Sequence, residues 1–253
     1  MSIKLYSLNC NRLRSKTKRK SLFMFLKKNK YDIICLQESH ITEADIDTWA
    51  NEWRGPLFSL PGSVHSKGQI ILLRNNFEAT NITMERTGDR ILTLSFRHKD
   101  KEYVVFNVYG PNNEKEKQDF LHIFEEAVCK YPEDSNIVAA GDYNIVLSNK
   151  LDVISGKAHD VNTVKHFNAV LCSTGLYDAW RMLQGSRKEF SWSSSYSPWI
   201  ARRLDYILVN SLAFDNVLSC DIAPAPCSDH QGVEIELQTD TITRGPSYWK
   251  FNQ

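Results

Sequence analysis

Asn136-Ile137-Val138-Ala139-Ala140-Gly141-Asp142-Tyr143-Asn144 decides how the rest of the chain is read. A run of apolar and small residues reads as a buried strand, and it stops on a carboxylate and a carboxamide. Packing gives no reason for that ending, because a charge taken out of water costs energy unless it is paired or metal-bound. The same ending recurs elsewhere. Asn9 follows Ile3-Lys4-Leu5-Tyr6-Ser7-Leu8, and Glu38 follows Ile33-Ile34-Cys35-Leu36-Gln37. Asp205 opens Tyr206-Ile207-Leu208-Val209, and Asp229-His230 precede Val233-Glu234-Ile235-Glu236-Leu237. Such strand ends can converge on one rim of a sheet. Carboxylates, amides and a histidine on that rim suit a hard divalent cation and an activated water.

Outward from these strands, the pattern predicts a basic amphipathic helix over Lys16–Lys30, with Leu22, Phe23, Phe25 and Leu26 inward. Thr42 reads as the N-cap of a helix burying Ile46, Trp49, Ala50 and Trp53. Residues 57–109 are strand-rich, with runs at Leu57–Leu60, Gly68–Arg74, Ala79–Met84, Arg90–Arg97 and Glu102–Tyr109. Lys99-Asp100-Lys101 is the expected hairpin tip between the last two. Helices are expected over Glu114–Lys130 and Asp160–Ser173, the second ending at Gly175, and further strands at Phe190–Ser193, Leu204–Val209 and Gly232–Leu237. Strands outnumber helices, and the helices do not alternate with them one for one. That argues against a simple doubly wound sheet and fits two packed sheets with helices outside.

A chain of 253 residues with no Pro/Gly/Ser-rich linker reads as one α/β domain, and 42% hydrophobic content supplies its core. The net charge of +1 hides an asymmetry. Residues 1–30 hold Lys4, Arg12, Arg14, Lys16, Lys18, Arg19, Lys20, Lys27, Lys28 and Lys30 and no acid. A charge run is commonly a solvated helix face. Its place directly after Asn9 and Asn11 favours a polyanion-binding edge. Of the six cysteines none forms a C-x-x-C pair, and Cys35 and Cys129 read as buried small hydrophobes. There is no secretory apolar segment and no run long enough to cross a bilayer, so a reducing compartment and no membrane partner are expected.

Leu8-Asn9-Cys10-Asn11, Leu36-Gln37-Glu38, Asn107-Val108-Tyr109-Gly110-Pro111-Asn112, Gly141-Asp142-Tyr143-Asn144, Arg203-Leu204-Asp205-Tyr206 and Ser228-Asp229-His230 occur in the order seen in the endonuclease/exonuclease/phosphatase superfamily. Within it the chain resembles the apurinic-type endonuclease domain of LINE-type (non-LTR) retrotransposons. Each block alone has a plainer explanation: Asp142-Tyr143-Asn144 fits a turn, Ser228-Asp229-His230 a cap, and Asp205 a surface ion pair. Their joint order carries the resemblance.

The resemblance implies a DNase I-like, four-layered α/β sandwich of two packed, mainly antiparallel sheets flanked by helices. Residues 1–239 would be the single endonuclease domain. The tail 240–253, with Gly245-Pro246-Ser247-Tyr248-Trp249-Lys250-Phe251-Asn252, resembles the segment leading toward a reverse transcriptase domain. The activity implied is Mg²⁺-dependent nicking of duplex DNA, with Mn²⁺ able to substitute. The nick leaves a 3′-hydroxyl that primes reverse transcription of the element RNA. The chain would be made in the cytoplasm and act in the nucleus. Glu38 resembles the principal metal carboxylate, with Asn11 and Asp229 in the metal's neighbourhood and Asn9 beside them. Asn11 stands where cellular abasic-site enzymes carry Asp, which removes one charge there. Asp142 resembles the residue that orients or deprotonates water, Asn144 and Tyr109 contact phosphate, and His230 with its partner Asp205 stabilises the transition-state charge. A cellular abasic-site repair endonuclease, a phosphoinositide phosphatase or a sphingomyelinase-like hydrolase remain alternatives on the same fold.

Two regions suggest double-stranded DNA as partner. Arg12, Arg14, Lys18 and Arg19 suit backbone phosphates, which supply affinity without sequence information. Tyr196, Trp199, Arg202 and Arg203 lie between two strands, on a loop matching the family's groove-reaching hairpin. A Trp199 packed on the domain is the plainer alternative. His40, His65, His122, His159 and His166 are assigned to surface or packing.

Overall fold

A computed structural model describes residues 1–239 apart from 133, 157, 195 and 198. The tail 240–253 lies outside the described residues. Among the described residues, β1 (Ser2–Asn9), β2 (Ile33–Gln37), β3 (Leu57–Leu60), β4 (Gln69–Leu73), β13 (Val217–Ala223) and β14 (Gly232–Gln238) form one sheet, in the order β13-β14-β1-β2-β4-β3. A second contains β5 (Thr80–Thr87), β6 (Ile91–His98), β7 (Lys101–Tyr109), β8 (Asn136–Asp142), β9 (Leu176–Asp178) and β12 (Asp205–Asn210), in the order β5-β6-β7-β8-β12-β9. Each sheet has one parallel pair at its centre, β1–β2 in the first and β7–β8 in the second, and its other pairings are antiparallel. β10 (Trp192–Ser193) and β11 (Ala201–Arg202) form a separate hairpin.

Side chains alternate across each strand, so every strand presents one set of residues to the partner sheet and another to the helices. The inward set is the apolar core between the sheets. It includes Ile3 and Leu5 of β1, Ile33 and Cys35 of β2, Val105 of β7, Val138 and Ala140 of β8, and Ile207 and Val209 of β12. The outward set of the first sheet packs under α1 (Lys16–Lys28) and α2 (Ile46–Trp53), and that of the second under α3 (Glu114–Cys129) and α4 (Val161–Thr174). The result is the four-layered, DNase I-like α/β sandwich that the resemblance implied.

Local chemistry sets the helix starts. Ser15, Asn113 and Asp160 each accept backbone N–H groups at the first turns of α1, α3 and α4. Thr42 caps a short 3₁₀ turn over Glu43–Asp45 through reciprocal bonds with Asp45, and α2 begins one turn later. Gly141 lets β8 approach β7: a Cβ there would lie 2.0 Å from the Val108 carbonyl oxygen.

Following the inward set toward one rim, the residues become polar. Two residues beyond the apolar core stand Ser7, Gln37, Gln69 and Asn107, all buried. Gln37 Oε1 and both amide atoms of Gln69 have no hydrogen-bond partner among the described residues. An unpaired buried polar atom costs about 1–3 kcal/mol, so this layer works against stability. At the rim itself are Asn9, Tyr109, Asp142 and Asp205.

Several expectations are corrected. Cys129 is exposed, because it is the last residue of α3, beyond the stretch that faces the sheet. β9, β11 and β13, with α5 (Ala179–Gln184) and α6 (Ser211–Phe214), were not anticipated. β13 is an edge strand whose alternation of buried and exposed positions is broken, and the others are short.

Candidate active site

The parallel pairs bring the site together. β1 and β2 end in register, with Asn9 beside Gln37, and the chain turns outward at Glu38 in a left-handed conformation (φ 49°). β7 and β8 end with Tyr109 beside Asp142, and β12 runs antiparallel so that its first residue, Asp205, faces Asp142. The two rims meet through side chains. Asn9 Nδ2 donates to Glu38 Oε1 at 3.1 Å and to Asp142 Oδ2 at 2.9 Å. Tyr109 OH donates to Glu38 Oε1 at 2.5 Å. Asp142 Oδ1 accepts the Asn144 backbone N–H at 2.9 Å, and Asn144 Nδ2 donates to the Gly110 carbonyl at 3.0 Å.

His230 arrives on the turn before β14. Ser228 Oγ accepts the His230 N–H and donates to the Asn9 carbonyl, which fixes the turn against β1. His230 Nδ1 lies 2.8 Å from Asp205 Oδ2. Asp229 faces the other way and accepts Asn11 Nδ2 at 2.9 Å and Trp192 Nε1 at 3.3 Å. The eight residues assigned catalytic roles from sequence (Asn9, Glu38, Tyr109, Asp142, Asn144, Asp205, Asp229 and His230) thus lie in one linked cluster with Asn11.

Burial and neighbouring charge sort their protonation. Asp142 is 1% exposed, and burial with the nearby Asp205 carboxylate raises its pKa well above the usual carboxylate range. Burial disfavours a charged His230, but pairing with Asp205, and the nearness of Asp142 and Asp229, outweigh it and lift the ring to about 10. His230 is therefore cationic at neutral pH. Burial raises Asp229, but the Asn11 hydrogen bond and the His230 charge leave it below the usual range. Burial and the Glu38 carboxylate push the Tyr109 phenol up, so it stays a donor.

Two sets of groups have the chemistry of a metal site. Asp142, Asp205 and His230 offer ligand atoms within 4.8 Å of one another. In that group His230 Nδ1 is already paired with Asp205 Oδ2. Glu38 and Asp229, with the Asn11 carboxamide, present hard oxygen donors without a thiol or a charged ring, which fits Mg²⁺ or Mn²⁺.

A cleft of about 330 Å³ opens over the cluster. Asn112, Lys117, His159, Trp192, Arg202 and Leu204 complete its walls. Lys117 and His159 were missed from sequence. Lys117 reads as one more charge on an amphipathic helix, yet it is buried with Nζ 2.8 Å from Glu114 Oε2. His159, assigned to surface or packing, lines the cleft instead, because Asn149 bonds both its backbone N–H and its carbonyl. Burial, Lys117 and Arg202 push its pKa down to about 4. On the far side of Glu38, the groove continues past Asn11, Arg12, His40, Lys67 and Arg90.

The residues assigned to DNA separate into groups. Arg12 is exposed beside the site, its N–H bonded to the Glu38 carbonyl at 2.8 Å. Arg14 is ion-paired with Asp45, and Lys18 Nζ donates to the Asn11 carbonyl at 2.6 Å. Tyr196 and Trp199 are 99% and 78% exposed on the β10–β11 hairpin, which removes the reading of Trp199 as packed. Arg202 stands over the Trp192 ring, 5.8 Å from its centroid, at the hairpin base. Arg19 and Arg203 are corrections. Arg19 is buried, bonded to Glu52 and the Leu13 carbonyl and set over Trp49. Arg203 is 1% exposed, between Asp152 at 2.8 Å and Asp178 at 2.6 Å. Each is enclosed by acids distant in sequence, so neither guanidinium reaches the surface.

A site of this kind on this fold defines a hydrolase of phosphoester bonds. The chain belongs to the endonuclease/exonuclease/phosphatase family, whose model matches residues 6–230, and it is an enzyme, a phosphodiesterase. It is 25% identical over its whole length to a Xenopus laevis protein described as the transposon TX1 uncharacterized 149 kDa protein, and spans 19% of that protein. It is 25% identical over 92% of its length to an exodeoxyribonuclease of Bacillus subtilis, and covers 98% of it. Solved structures with the same fold include an AP endonuclease from Leishmania major (TM-score 0.82, 19% identity, 94% of this chain and 88% of that one). A 3′ phosphatase from Neisseria, bound to a product DNA hairpin, matches at TM-score 0.78 and 18% identity over 94% of this chain and 100% of that one.

Proposed function

We propose that the protein is a Mg²⁺-dependent endonuclease that nicks one strand of duplex DNA and leaves a 3′-hydroxyl. The observation that carries this reading is the linked cluster from Asn9 to His230, which pairs a buried base with a buried cation across one cleft. Asp142 takes a proton from the attacking water, and Asn144 with Asn9 fixes the carboxylate that does so. The His230 imidazolium, held by Asp205, faces the charge that develops on the phosphate oxygens, and the Tyr109 phenol is placed to donate to the same group. The water oxygen joins phosphorus as the bond to O3′ breaks, and the departing O3′ takes a proton from solvent, giving a 5′-phosphate and a 3′-hydroxyl. Glu38, Asp229 and Asn11 would hold the cation, which when bound draws charge from a non-bridging oxygen.

The finer role rests on the transposon relative, of which this chain matches a fifth or so. The 3′-hydroxyl would prime reverse transcription of element RNA by a reverse transcriptase domain of the same polyprotein, in the nucleus. The exposed Tyr196 and Trp199 and the Arg12 edge suit contacts with a duplex.

The test is supercoiled plasmid incubated with the protein and Mg²⁺, with EDTA, and with Mn²⁺ in place of Mg²⁺. Nicked circles that a polymerase can extend are expected with either metal and none in EDTA. No nicking, ends that cannot be extended, or full activity in EDTA would overturn the reading. An abasic oligonucleotide run beside an undamaged one separates it from a repair enzyme.

A further inference from the structure

The polar layer beneath the rim is bonded across the two sheets. Gln37 Nε2 donates to Asn107 Oδ1 at 2.7 Å and to Ser7 Oγ at 3.1 Å. Asn107 Nδ2 donates to the carbonyls of Leu36 at 3.1 Å and Ile70 at 2.9 Å. One side chain of β7 is therefore tied to both β2 and β4 of the opposite sheet. Gln37 is the residue before Glu38. Asn107 precedes Tyr109 by two positions, on the same face of β7. Glu38 and Tyr109 are the pair that meets above this bridge.

We propose that Gln37 and Asn107 are positioning residues for the Glu38 carboxylate. The amide bridge sets the separation of the β2 and β7 ends at which Glu38 reaches both Tyr109 and Asn9. Two features separate this role from ordinary packing. The layer leaves Gln37 Oε1 and the Gln69 amide without partners among the described residues, where apolar side chains would seal the core. Glu38 also holds a left-handed backbone, which persists at a non-glycine residue only where its surroundings fix it. The proposal rests on Glu38 as the metal carboxylate, and a wild-type protein that binds no Mn²⁺ would remove that reading rather than this one.

Asn107→Leu removes the bridge and Gln37→Met removes its Gln37–Asn107 bond, and both keep side-chain volume. Isothermal titration with Mn²⁺ is expected to show affinity at least tenfold weaker in each. On plasmid DNA, kcat should fall at least tenfold with KM within twofold of wild type. Val105→Ala, one step deeper on the same face of β7, is the structural control: it should lower Tm and leave Mn²⁺ affinity unchanged. The proposal is overturned if the bridge variants bind Mn²⁺ as wild type does. It also falls if Val105→Ala weakens Mn²⁺ binding as much as they do. Should Asn107→Leu fail to fold, Gln37→Met decides, since it leaves Asn107 bonded to Leu36 and Ile70. If neither folds, the layer is structural and the proposal falls.

Discussion

β1 and β2 of the first sheet occupy the same place as β7 and β8 of the second: each is the third and fourth strand of six, and each is the parallel pair of its sheet. Their ends differ in depth. On the first sheet, Glu38 stands half-buried beside Asn9 and Asn11, open to the cleft and to the groove beyond. On the second, Asp142 and its neighbour Asp205 are buried, with the His230 ring against them. One strand arrangement thus yields two kinds of carboxylate. The shallow one is suited to sharing its oxygens with a hydrated cation. Burial and the nearby Asp205 carboxylate raise the pKa of Asp142, which suits it to proton exchange, while Asp205 is bonded to the His230 ring.

The strongest way to break this comparison is on the second sheet. Asp142→Asn and His230→Ala should each reduce plasmid nicking on the order of a hundredfold or more, at saturating Mg²⁺, while circular dichroism remains native. Near-wild-type nicking by either would remove the proton-handling role. On the first sheet, Glu38→Gln should raise the Mg²⁺ concentration needed for half-maximal nicking and recover part of its activity at high metal. If excess Mg²⁺ rescues Asp142→Asn equally well, the two rims do not divide the chemistry.

A smaller effect sharpens the same division. In the proposed mechanism a protonated His230 faces the phosphate, and pairing with Asp205, with Asp142 and Asp229 nearby, lifts its pKa to about 10 against the cost of burial. A raised pKa keeps the ring charged through neutral pH and loses the charge only in alkali. Asp205→Asn removes that support, so the alkaline fall in kcat should move to lower pH. An unmoved alkaline limb would count against the pair. The smallest effect on rate is expected away from both rims. Tyr196→Ala with Trp199→Ala should redistribute nick positions on random duplex DNA with little change in turnover, since groove contacts bias sites by how easily DNA deforms. Identical distributions from a folded, active mutant would leave the hairpin without a role in target choice.

Much of the site was legible because strand ends are local signals. Ile137 to Gly141 closing on Asp142, or Ile33 to Gln37 closing on Glu38, can be read without knowing what lies opposite. The number of apolar strand-like runs, β1, β2 and β7 among them, against few dispersed helices likewise carries the two-sheet architecture. What stayed hidden depends on partners far along the chain. Arg203 looks like its neighbour Arg202, and only the arrival of Asp152 and Asp178 decides that one is enclosed while the other reaches the cleft. Arg19 sits in a basic run, and Glu52 from α2 removes it from the surface. His159 gave no signal, because a loop held by Asn149 turns it inward. Edge strand β13 lacks the clean alternation that would announce it.

The pairing of β1 with β14 joins the two ends of the described chain, with Ser2 opposite Gln238. A ribosome would therefore release Asn9 and Glu38 long before the turn that carries His230, and β1 must wait for its antiparallel neighbour. At roughly 5–20 residues per second, that delay is on the order of tens of seconds. Throughout it the nascent chain lacks its histidine and one edge of its first sheet. Chains broken off in the interval lack Asp229 and His230, so under the proposed mechanism they should not nick DNA, and cleavage would be coupled to completion of the domain.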